Sequence, residues 1–140
     1  MSYADVRATI EQRFYDQWLT GSPAALRTPV GWDGQAFEPP TGESSVRLSI
    51  REGEAFNASM GSPGSNIVRY PGVVMIQIFT PGGQGSKAAR ELADLIRPIF
   101  TNWRSGSILF RTMSVLPPVE DPPFYMLPVS FAFQRDETHG

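Results

Sequence analysis

Tyr3, Val6, Ile10, Phe14 and Trp18 recur at steps of three and four, with Arg7, Glu11, Gln12 and Asp16 between them. That period predicts an amphipathic helix over residues 3–19, with Ser2 placed to cap it. Gly21-Ser22-Pro23 breaks the pattern. Between Thr28 and Pro40, the residues Val30, Trp32 and Phe37 stand among Pro and Gly, which predicts a short first strand with a poor edge. Val46, Leu48 and Ile50 then alternate with Ser45, Arg47, Ser49 and Arg51, the period-two signature of a strand with one wet face. Residues 53–66 hold Gly, Ser, Pro and Asn around Phe56 and Met60, and predict a projecting loop or hairpin. The run over 67–79 is apolar on both faces around Pro71-Gly72, as expected for a central strand covered on both sides.

After Pro81-Gly82-Gly83, Ser86 is placed to cap a second helix whose Ala89, Leu92, Ala93, Ile96, Ile99, Phe100 and Trp103 form a broad apolar stripe. Pro98 is expected to kink or restart it. Ile108, Phe110 and Val115 mark a fourth strand. Tyr125, Leu127, Val129, Phe131 and Phe133 alternate to make a fifth, with Pro117-Pro118 and Pro122-Pro123 in the connection. The order is helix, three strands, helix, two strands. It predicts a single α+β domain over 1–140: one antiparallel or mixed sheet of about five strands, two helices packed on it, and a flexible tail over 136–140.

Composition narrows the function. With 41% hydrophobic and 19% charged residues in 140, the chain has the balance of a folded protein. A net charge of −2 gives no concentrated basic face to grip a phosphate backbone. The N-terminal residues lack the basic-then-apolar pattern of a secretory signal, and no apolar run reaches membrane-spanning length. No cysteine is present, so disulfides, thiolate nucleophiles and thiolate metal sites are excluded, and the cytoplasm is the expected compartment.

Catalytic constellations are equally scarce. Gly83-Gln84-Gly85-Ser86-Lys87-Ala88 lies between strand and helix as a dinucleotide-binding loop would, but the remaining chain is too short for the further parallel units that fold needs. A strand-to-helix turn is the better reading. His139 is the only histidine and stands in the polar tail, which removes a triad or a structural zinc site. Glu52 with Glu54, and Glu120 with Asp121, read as solvated loop charges. Arg90, Arg97 and Arg104 are seven apart and read as a solvated helix face. The expectation is no enzyme, no metal and no cofactor. Phe56 and Met60 carry more information, because apolar residues in a segment remote from a core suit an interface.

Four stretches carry a family resemblance: Ser2-Tyr3-Ala4-Asp5-Val6-Arg7, Thr28-Pro29-Val30-Gly31-Trp32, Arg69-Tyr70-Pro71-Gly72-Val73-Val74 and Phe131-Ala132-Phe133-Gln134-Arg135-Asp136-Glu137. With the order of elements, they resemble the tail-terminator-like proteins of long-tailed bacteriophages, prophages and gene transfer agents over nearly the whole chain. The resemblance implies a virion structural protein at the head-proximal end of the tail, assembled in the bacterial host cytoplasm. It implies a hexameric ring that caps the tail tube, ends its polymerisation and supplies the surface that joins the head. Its partners would be further copies of itself, the major tail tube protein and the head-tail connector or neck proteins, with DNA passing through the lumen without specific binding and no membrane involved. A ring needs a heterologous contact that closes, and Arg47, Arg51, Phe56 and Met60 are the expected contributors to the subunit or tube interface. Another neck protein, such as a head-closure component, and a small ligand-binding domain are the competing readings.

Overall fold

The computed structural model describes residues 2–19, 28–59 and 66–139, the last of these by its backbone. Helix α1 spans Tyr3–Phe14 and continues as a π-helical turn over Tyr15–Leu19. Its start is a capping box: the Ser2 hydroxyl accepts from the Asp5 N–H at 3.1 Å, and the Asp5 carboxylate accepts from the Ser2 N–H at 3.0 Å. Val6, Ile10, Phe14 and Trp18 are buried as the spacing predicts, and the wider π turn keeps Trp18 under Phe14, with rings stacked at 5.5 Å. Tyr3 stays half exposed.

Among the described residues eight strands form one mixed sheet: β1 (Val30–Gly31), β2 (Ser45–Glu52), β3 (Phe56–Asn57), β4 (Asn66–Pro81), β5 (Arg104–Ser105), β6 (Ile108–Val115), β7 (Val119–Asp121) and β8 (Phe124–His139). The spatial order is β1-β2-β4-β8-β6-β5, with β3 added to β4 and β7 added to β8. Among the described residues only β1 with β2 is parallel. All five expected strands are present, but the count is eight and the order gains β3, β5 and β7. These are two or three residues long, and pairing with a longer neighbour, not a sequence period, makes them strands.

The expected tail is also revised. Residues 136–139 continue β8 and pair with Asn66–Arg69 of β4, and Arg69 binds the Asp136 carboxylate through two nitrogens at 2.8 and 3.0 Å. Gly140 lies outside the described residues.

The axis of the sheet is the β4–β8 pair, in register from Asn66↔His139 to Pro81↔Phe124. Each strand carries an internal proline that leaves this ladder intact. The Pro71 carbonyl accepts from Gly53 N and the Pro128 carbonyl from Leu116 N, both at 2.9 Å. The N–H and C=O of one residue point to the same side of an antiparallel strand, so each missing donor faces the outer flank, where β2 and β6 have ended.

Helix α2 (Lys87–Phe100) buries Ala89, Leu92, Ala93, Ile96, Ile99 and Phe100 on this sheet. The Ser86 hydroxyl makes no cap bond to the helix and instead accepts from Arg90 Nε at 3.3 Å. Pro98 falls in the last turn and the helix runs on to Phe100 without a restart. Both helices share one core with Val46, Leu48, Val74, Ile76, Ile78, Leu127, Val129, Phe131 and Phe133. These are alternate positions of β2, β4 and β8, so the two helices cover one face of the sheet. The expectation that β4 is covered on both sides is therefore corrected: Val74, Ile76 and Ile78 are sealed, whereas Val73, Met75, Gln77 and Phe79 are only partly buried.

Candidate functional site

The face without helices is built from the other alternate positions. Cross-strand register places Arg47 beside Gln77 and then Pro128, Arg51 beside Val73 and Ala132, and Phe56 beside Arg69 and Asp136. Opposed residues point to the same side of a sheet. Three of the four expected interface residues thus lie on one face: Arg47 and Arg51 from β2, and Phe56 from β3. Met60 lies outside the described residues. Phe56 is 49% exposed, among the most exposed large apolar side chains of the described residues.

Apolar residues continue across this face as Val73, Met75 and Phe79 of β4 and Met126, Pro128 and Ala132 of β8. Arg51 and Arg111 rim a shallow groove of about 450 Å³ over Val73, Ala132 and Gln134, with Glu52 at its mouth. Arg111 was not singled out by the sequence. A bulge between Phe110 and Met113 breaks the register of β6, and the guanidinium of Arg111 donates to Gln134 on this face at 3.1 Å. Further along, the Nε of Arg47 is buried without an acceptor among the described residues, a donor whose desolvation they leave uncompensated.

The expected loop over 53–66 is a hairpin limb in its described part. Phe56 and Asn57 pair with Arg69 and Val68, and the Ser59 hydroxyl accepts from Ile67 N at 2.8 Å. Opposite Asp136, the Arg69 guanidinium holds the carboxyl below the usual carboxylate range. Arg69 and Asp136, the cross-strand neighbours of Phe56 in the register, are thus an internally satisfied pair.

Elsewhere the residues do not converge on chemistry. Arg104 belongs to β5, past the end of α2, so it shares no helix face with Arg90 and Arg97. Glu120 and Asp121 sit exposed on β7. The glycine stretch is a turn: Gly83 and Gly85 have φ of 80° and 79°, conformations that favour glycine, and Gly82 N donates to Pro123 O at 2.8 Å, tying the turn to the β7–β8 connection with its cis Pro122–Pro123 bond. Among the described residues no three of His, Cys, Asp and Glu group as metal ligands, and no helix is long and apolar enough to cross a membrane.

This arrangement defines a two-layer α+β protein whose distinctive surface is a bare, partly apolar sheet face with arginine rims, suited to contact with other proteins. The sequence matches the phage tail terminator protein family over residues 5–133, and the chain belongs to that family. It is a structural protein of the phage tail. One solved structure is similar at 23% identity, covering 96% of both chains with a TM-score of 0.70, a likeness of fold. A chain from the virion of a native gene transfer agent particle is similar at 16% identity, covering 97% of this chain and 100% of its own, with a TM-score of 0.48. No curated protein sequence matches the chain.

Proposed function

We propose that copies of this chain form a closed ring, six subunits being the expected form, seated on the head-proximal end of the tail tube. The ring ends polymerisation of the tube and presents the surface that receives the neck proteins. It acts without catalysis, cofactor or metal, and DNA passes through its lumen without specific binding, which a chain of net charge −2 favours by not trapping the polyanion.

The observation that carries this reading is the helix-free face. A partly apolar sheet face with no helix over it is an unfinished interface, and family membership supplies the kind of assembly that would finish it. Arg47, Arg51 and Phe56 share that face, and Met60 belongs to the same proposed contact with the neighbouring subunit or the tube. Assembly takes place in the bacterial host cytoplasm.

Light scattering of the purified protein across a wide concentration range, with negative-stain images of any large species, tests the proposal. A species of about six subunits with an open centre supports it. A chain that stays monomeric both free and on purified tail tubes overturns it.

A further inference from the structure

Resting on the reading that copies of this chain associate, we infer that the groove between Arg51 and Arg111 receives the β7–β8 hairpin of a second copy. The groove has an apolar floor, Val73 and Ala132, and a rim with two guanidinium groups against the single carboxylate of Glu52. The Arg51 side chain has no hydrogen bond or ion pair among the described residues, and the Arg111 side chain reaches the neutral amide of Gln134. An occupant of matching chemistry combines a small apolar side chain with unpaired carboxylates.

The β7 strand carries that combination. Val119 is 47% exposed, Glu120 and Asp121 are exposed, and neither acid has an ion-pair partner among the described residues. Val119 opposes Met126 and Asp121 opposes Phe124, so both project to the same side of the hairpin while Glu120 projects to the other. In trans, Val119 covers the floor of the groove and Asp121 reaches the two arginines. The contact cannot form within one chain: Ala132 and Met126 are six positions apart on β8, about 20 Å along a rigid strand. Groove and hairpin are therefore two different patches of one surface, the requirement for a heterologous contact.

The chain has no cysteine, so thiol cross-linking reports only introduced positions. Mixing a Val119→Cys chain with an Ala132→Cys chain and a short bis-maleimide is expected to give a mixed dimer in preference to either homodimer. Arg51→Glu together with Arg111→Glu in the Ala132→Cys chain is expected to remove most of that product, and Asp121→Arg in the other chain to restore part of it. Both cysteines in one chain should extend the product into a ladder. A ladder that stops at two supports the pairing and rejects the ring. Association beyond the dimer by light scattering without the mixed cross-link rejects the pairing and leaves the ring. No association and no cross-link, both in free solution and on purified tail tubes, rejects both.

Discussion

The guanidinium of Arg135 lies over the ring of Tyr70, 4.1 Å from its centroid, and 4.9 Å from the centroid of Tyr3. The Arg135 residue is 3% exposed and its side chain pairs with Glu137, so a charge of β8 is buried where α1 meets the sheet. Arg135→Met removes the cation stacked on the two rings and takes one ion-pair contact from Glu137. The expected cost is about 2–3 kcal/mol, below the full penalty for a split buried pair because Glu137 is partly solvated. Arg135→Lys keeps the charge but not the plane, and should cost about 1–2 kcal/mol. Urea midpoints at unchanged m check both, and parental stability in the Met variant contradicts the account.

Phe100 ends α2 among Phe14 of α1, Phe110 of β6 and Phe131 of β8, with centroids at 6.3, 4.8 and 5.3 Å. Truncation removes the ring on which both helices and the sheet converge. Phe100→Ala is expected to destabilise by about 3–5 kcal/mol. Thermal unfolding followed by near-UV circular dichroism measures it, and a loss under about 1 kcal/mol would show that the site collapses around the vacancy.

Gly72 faces Phe133 so closely that an added Cβ would lie 2.3 Å from the ring. The ring is held in the core, so Gly72→Ala must displace it, at an expected cost of about 1–3 kcal/mol. Adding Phe133→Leu should recover part of that loss in a double-mutant cycle. Additive effects would place the strain elsewhere.

The Arg69 contact depresses the Asp136 carboxyl from its usual 3.8. A depressed acid contributes stability above its unfolded pKa and loses it as pH falls through the folded value. Both partners are about a third exposed, at 34% and 36%, so the contribution is under about 1 kcal/mol. Asp136→Asn should therefore lower stability slightly at pH 7 and flatten its decline below about pH 4. Guanidinium-free urea titrations at both pH values compare the two chains, and equal acid slopes would refute the linkage.

Phe56 packs on no core, and Phe56→Ser should change folding stability by less than about 0.5 kcal/mol. In an assembly assay the same chain is expected to lose tail termination, alone or with Met60→Ser. Tails of normal length from the double variant would remove Phe56 and Met60 from the interface.

Periodicity made both helices and the four long strands legible, because Val6-Ile10-Phe14 and Val46-Leu48-Ile50 each bury one continuous stripe. It could not reveal β3, β5 or β7, where two or three residues hold no period. Asp136, Glu137 and Thr138 look like a frayed end in isolation; sixteen residues of β4 opposite sixteen of β8 make them a strand. Arg47 and Arg51 were legible as neighbours on one wet strand face. That Phe56 joins them was not, since it depends on the register of β2 and β3 against β4, which is settled between segments remote in sequence. Arg111 escaped notice because it is one charge on the wet side of β6, and only the pairing of β6 with β8 sets it beside Gln134 and the groove.

The unbroken β4–β8 ladder has a mechanical consequence. Its bonds run perpendicular to the strands, so tension applied at opposite ends of the two strands is shared by every rung at once instead of opening them one by one. Because neither Pro71 nor Pro128 interrupts a rung, no weak link is built into that path. The ribbon is thus a tie-bar, and its resistance to pulling is set by length and register more than by the melting temperature of the core.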